Sequence, residues 1–162
     1  MKAIKAFAIA GAIAALSLTV LSTSPRPASA ASGAETLAVR QAVMRSMVTH
    51  FRAIVGAIKS GDETRIKAAA PHAMAMSFLA KAIPTVTEKG SGPEAGKTRA
   101  LPIIWREWAG FKKAAATLAT ESVTLAGVLK SGNAGAAMAQ FGKTGKLGCG
   151  GCHRTYRAKK KK

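Results

Sequence analysis

Residues 35–59 read ETLAVRQAVMRSMVTHFRAIVGAIK, and this stretch decides the fold class. Leu37, Arg40, Met44, Met47, Phe51, Ile54 and Ile58 recur three and four positions apart, which marks one face of a helix. A strand would instead alternate by two, and no run of alternating β-branched residues follows. The sequence therefore predicts helices and no sheet.

Outward from this segment the same period returns three times. Ser60-Gly61-Asp62 breaks the first helix and offers Asp62 as a cap for the next. The second segment, 63–82, is rich in Ala and carries Met74, Phe78 and Leu79. Pro71 sits inside it, removes a helix hydrogen bond and predicts a kink or restart. Residues 84–101 contain Gly90, Gly92, Pro93 and Gly96 without apolar periodicity, so they read as a long crossover. Loops of that length in a small domain are usually functional or mobile. The third helix is expected over 102–130, from Pro102 to the Ser131-Gly132 stop, with Ile104, Trp108, Phe111, Leu118, Leu125 and Leu129 in its stripe and Trp105 beside it. The fourth, over 133–157, is weaker because Gly142, Gly145, Gly148, Gly150 and Gly151 each disfavour helix by about 1 kcal/mol relative to Ala. Four amphipathic helices joined this way imply an all-α, antiparallel bundle of up-down-up-down order.

Ahead of the helices, Lys2 and Lys5 precede a mostly apolar stretch at 6–21, and Ala28-Ser29-Ala30 follows Pro25 and Pro27. This is the pattern of a secretory signal peptide over 1–30, cleaved after Ala30. The expected mature chain is a bundle over 31–158 followed by a basic tail, 159–162. Losing Lys2, Lys5 and Arg26 and no acids lowers the net charge from the +18 of the full chain to +15. Hydrophobic content of 48% is too high for a disordered polycation, and 162 residues suit one domain with a real core. Two cysteines exclude a disulfide-rich scaffold and a four-cysteine zinc or iron–sulfur site within the chain.

Those two cysteines stand in Cys149-Gly150-Gly151-Cys152-His153. This is the motif for covalent attachment of a c-type haem. Thiols three positions apart can reach the two vinyl groups along one porphyrin edge, and His153 follows directly to serve as proximal iron ligand. Gly150 and Gly151 leave no side chain between the thiols and the ring edge. A redox dithiol is the competing reading, but it calls for a βαβ setting that this helical pattern lacks.

Three blocks extend the reading: Arg40-Gln41-Ala42-Val43-Met44, Pro102-Ile103-Ile104-Trp105, and residues 149–157. Together they resemble the class II c-type cytochromes, the cytochrome c′ family with its low-spin His/Met relatives, over residues 34–159. The resemblance implies a four-helix bundle carrying one covalent haem c. It makes Cys149 and Cys152 the thioether anchors and His153 the proximal ligand, with Arg157 on the proximal side. It sets Arg40 and Gln41 on the propionate side and Met44 at the distal face of the ring. If the Met44 thioether binds iron, the site is six-coordinate, low-spin and suited to electron transfer. If Met44 only packs, the iron is five-coordinate and open to NO or CO.

The expectation is an exported, periplasmic monohaem cytochrome acting in electron transfer, with Met44 as candidate sixth ligand. The alternatives are a five-coordinate gas-binding cytochrome c′ and a basic helical interaction protein with a redox CxxC. No paired carboxylates, nucleophile–base set or distal acid–base histidine argues for an enzyme. His50 lies six positions from Met44, on another part of its helix, and His72 follows the Pro71 kink, so both read as surface or hydrogen-bonded histidines. The positive charge points to acidic redox partners and to peripheral contact with anionic membrane. It does not point to specific nucleic acid binding, and a homodimer is the expected assembly if the chain follows the family.

Overall fold

The computed structural model describes residues 32–159. The signal-peptide reading of 1–30 lies outside them, as do the last three lysines of the tail.

Helix α1 spans Gly33–Lys59. It begins in a capping box: the Ser32 hydroxyl accepts from the Glu35 amide at 3.2 Å, and the Ser32 amide donates to the Glu35 carboxylate at 2.6 Å. Leu37, Arg40, Met47, Ile54 and Ile58 of the expected stripe are buried. Met44 and Phe51, in the same stripe, are only half-buried.

The second segment divides as Pro71 predicts. Helix α2, Glu63–Ala68, is capped by Asp62, whose Oδ1 accepts from the Arg65 amide at 2.7 Å. Helix α3, Ala70–Ala82, restarts with Pro71 in its first turn, where a missing N–H leaves no bond unmade. The third segment also divides, which the sequence reading did not foresee. Helix α4, Ile103–Arg106, ends at Glu107 with φ −109° and ψ 44°, and helix α5 runs over Trp108–Leu129. Gly132, at φ +73°, turns the chain where the Ser131-Gly132 stop was expected.

The glycine-rich fourth segment is helical throughout but not uniform. Helix α6, Ala134–Lys143, is capped by Asn133, which accepts from the Ala136 amide at 2.8 Å. A π-helical turn, Thr144–Cys149, then widens the coil before helix α7, Gly150–Tyr156. Such widened turns are frequent at functional sites. Gly148 shows why no larger residue fits here: a Cβ on it would lie 2.6 Å from Leu118 Cδ1 and 3.1 Å from Leu118 Cα on α5.

Helix α1 packs on α3 and α6, while α5 packs on α3, α6 and the π turn. The segments thus close a four-membered antiparallel bundle in which α2 with α3 and α6 with α7 each act as one leg. At one end Ile54, Ile66, Met76, Leu125 and Leu129 form a fully buried core. No strand occurs among the described residues, and the only bridge there is an isolated antiparallel one between Ala100 and Arg157.

Candidate functional site

The other end of the bundle encloses a cavity of about 660 Å³. One wall is α1, which contributes Met44, Met47, Val48 and Phe51, with Arg40, Gln41 and Arg45 toward one side. Facing residues come from the last helical leg: Cys149, Cys152, His153, Tyr156 and Arg157. Ile104 and Phe111 close the base, and Thr87 and Lys97 to Ala100 of the crossover close the side. Every site residue expected from the sequence therefore reaches one cavity.

The electrostatics of the motif decide what it can do. Burial pushes the Cys149 thiol up, and burial pushes Cys152 up to about 11, aided by Cys149 and opposed by Arg157. Reactive dithiols need the reverse, a thiolate favoured by nearby positive charge. Protonated, half-buried thiols do not suit redox exchange in solution. Burial, then Arg157 and Arg99, hold the His153 imidazole down to about 4, so at neutral pH it is uncharged with a lone pair to offer.

Arg40 has a more specific position than its sequence block conveys. The residue is buried, and its guanidinium donates to Ser91 Oγ at 2.7 Å, to the Ser91 carbonyl at 2.6 Å and to the Val86 carbonyl at 3.4 Å. Next to it, Gln41 Nε2 donates to the Lys97 carbonyl at 3.0 Å. The two residues expected on the propionate side thus tie the crossover to α1. Trp105 Nε1 adds bonds to the Thr87 and Glu88 carbonyls, each at 3.1 Å. The long loop is a bonded wall of the cavity, tied to α1 and to Trp105.

Lys97 and Arg99 are cavity residues that the sequence reading missed. Cations in a Gly-containing loop look like solvated surface. The one available signal was their place just before Pro102, where the crossover must return to the bundle. His50 and His72, read as surface or hydrogen-bonded, do bond: their Nδ1 atoms lie 2.9 Å apart, linking α1 to α3 away from the cavity lining.

The cavity fits a large flat apolar group. Its volume lies within the roughly 300–1,000 Å³ typical of ligand pockets. Left unfilled, a space of this size deprives the apolar side chains that line it of packing partners. An apolar occupant is thus part of the fold. Paired thiols and a neutral imidazole on one wall supply the donor set that a covalently held haem requires.

A four-helix bundle with these residues around one cavity defines a c-type haem protein. The model of the family described as Cytochrome C' matches residues 35–157, and the chain belongs to that family. The chain is similar in structure to cytochrome c′ from Thermochromatium tepidum, with a TM-score of 0.70 and 26% identity over 81% of this chain and 100% of that one. It is similar also to cytochrome c′ from Rubrivivax gelatinosus, with a TM-score of 0.66 and 26% identity over 78% and 98%. A nitric oxide complex of a variant cytochrome c′ from Alcaligenes xylosoxidans matches with a TM-score of 0.67 and 25% identity over 81% and 100%. A further cytochrome c′, described by an unusual ligand-controlled dimer dissociation, matches at 0.69 and 26% over 81% and 100%. No curated protein matches the chain. The cofactor is one covalently bound haem c, and the family comprises haem electron carriers and gas-binding proteins rather than enzymes in the usual sense.

Proposed function

We propose that this chain binds a small neutral gas, NO or CO, at a five-coordinate haem held by Cys149, Cys152 and His153. The observation that carries this reading is the contrast between the cavity's two walls. The α7 side offers two thiols and a neutral imidazole, while the facing stretch of α1 offers Met44, Met47, Val48 and Phe51. In this reading Met44 packs over the distal side and, with Phe51, excludes water and larger ligands. When bound, the haem supplies an iron with an open coordination position. His153 would hold the proximal side as a neutral ligand, kept neutral first by burial and then by Arg157 and Arg99. Arg40 and Gln41 hold the crossover against the propionate side. The nitric oxide complex of the related Alcaligenes xylosoxidans protein supports the same chemistry.

Electron transfer is the second reading, and one observation favours it: the Met44 thioether is a soft ligand on the cavity wall. The absorption spectrum of the reduced holoprotein with and without CO separates the two. Broad high-spin bands that shift with CO are expected. A sharp low-spin spectrum indifferent to CO, and converted to a CO-responsive one by Met44→Ala, would overturn gas binding and make Met44 the sixth ligand.

Export with cleavage after Ala30, and hence a periplasmic setting for haem attachment, belongs to the same proposal. Among the described residues no helix is long and apolar enough to cross a membrane. The related protein with ligand-controlled dimer dissociation supports a homodimer as the assembled form.

A further inference from the structure

Tryptophan and tyrosine are the aromatic side chains that give up an electron readily, and the chain holds Trp105, Trp108 and Tyr156. Two of these are joined at the cavity. Tyr156, the only tyrosine, and Phe111 both line it. The Tyr156 ring stands edge-on to Phe111, with centroids 5.3 Å apart and an interplanar angle of 87°. Phe111 in turn stacks on Trp108 at 5.5 Å and 27°. Both are favoured aromatic geometries, and they make one continuous path of rings from the cavity to the half-buried Trp108. The polar atoms at its two ends meet water. Neither Tyr156 Oη nor Trp108 Nε1 has a hydrogen-bond partner among the described residues, yet the sealed side-chain atoms without a partner there are Ser77 Oγ and Ser122 Oγ. The phenol oxygen emerges past the exposed Gly110, where a Cβ would lie 2.6 Å from it, so the glycine leaves that exit open. Trp105 is the contrast: its Nε1 donates to the Thr87 and Glu88 carbonyls, and it does not line the cavity.

We infer that Tyr156, Phe111 and Trp108 form an electron relay that resupplies the haem site when a peroxide takes electrons from it. Hydrogen peroxide becomes two waters by taking up two electrons and two protons. Each electron leaves Tyr156 toward the cavity while the phenol proton passes to water beside Gly110, which leaves a neutral tyrosyl radical. Trp108 then gives one electron across Phe111. The phenol recovers a proton from water, and the indole Nε1 loses one to water. A small one-electron reductant of the ascorbate class returns an electron and a proton to Trp108. Two such passages supply both electrons, and no atom moves along the rings. Oxidation then ends at a replaceable electron near the surface rather than in the Met44 and Met47 thioethers of the cavity wall. The relay rests on the five-coordinate haem reading, because peroxide must reach the iron.

The test mixes ferric holoprotein with hydrogen peroxide and a nitroso spin trap and maps the adducts by tandem mass spectrometry. The adduct should fall on Trp108, and ascorbate should abolish it. Trp108→Phe should confine it to Tyr156. Tyr156→Phe keeps the ring packing, removes only a hydroxyl without a protein partner, and should lose the adduct at both positions. Trp105→Phe should leave the Trp108 adduct in place. With ascorbate present, the two relay variants should bleach faster in the haem band and carry more sulfoxide at Met44 and Met47 than the unaltered protein. An adduct centred on Trp105, or a Trp108 adduct that survives Tyr156→Phe, would overturn the relay. Failure of the five-coordinate reading is seen separately, as a haem spectrum indifferent to CO before any peroxide is added.

Discussion

The two ends of the bundle solve different packing problems with the same four legs. Around Ile54, Ile66, Met76, Leu125 and Leu129 the helices close on each other, and each of these side chains is fully buried. Toward Met44, Phe111, Cys149 and His153 they stand apart and enclose about 660 Å³. Helix α1 serves both ends with one unbroken stripe, so periodicity alone does not distinguish them. The difference lies in what the opposing leg supplies. Leu125 and Leu129 on α5 fill space at the closed end, whereas the π turn and its glycines at the other end bring thiols and an imidazole to the wall. One end is stabilised by polypeptide and the other by a prosthetic group.

The sharpest way to break this contrast is to remove the attachment. Cys149→Ala with Cys152→Ala should abolish haem staining of a denatured gel and lower the thermal midpoint, since the side chains lining the cavity lose a covalently held occupant. Retained stain would sink attachment through these thiols. At the closed end, Leu125→Ala should lower stability by about 3 kcal/mol in denaturant unfolding and leave the haem spectrum unchanged. An altered spectrum would mean that the ends are mechanically coupled. Arg40→Met is intermediate: it strands the buried Ser91 carbonyl and should cost about 2 kcal/mol, while loosening the crossover raises the CO association rate in stopped flow.

The smallest effect belongs to the histidine pair. The separation of the ring centroids, 5.2 Å, equals the 2.9 Å contact plus two ring radii, so the two Nδ1 atoms point at each other. Burial, then His72, lowers the His50 pKa below its ordinary 6.5. A histidine depressed in the folded state contributes stability that is present above the ordinary value and lost as pH falls toward the folded one. Stability should therefore decline modestly on acidification below about 6.5, and His50→Gln should flatten that part of the pH profile.

Much of this was legible in sequence because it depends on local chemistry. The α1 stripe, the Asp62 cap, the Pro71 restart and the CxxCH spacing each act within a few residues of themselves. Four features were not legible from neighbouring residues. The break at Glu107 has no proline or glycine to announce it. The π turn was read only as weak helix, because glycine propensity is local while the widening goes with the close approach of Gly148 to Leu118. Arg40 was read toward the propionates, and its bonds to Ser91, fifty-one positions away, follow only from the folded crossover. Lys97 and Arg99 became part of the site in the same way, through the backbone bridge to the chain end.

The glycines of the last leg also bear on the order in which the molecule is completed. Gly142, Gly145, Gly148, Gly150 and Gly151 together oppose helix by roughly 4–5 kcal/mol relative to alanine. That leg gains little from its own propensity and relies on its tertiary contacts to be helical. Cys149 and Cys152 thus sit on the leg with the least intrinsic helix preference, while α1 and α5 are rich in strong helix formers. The segment that the attachment chemistry must reach is therefore the one whose own sequence resists folding away most.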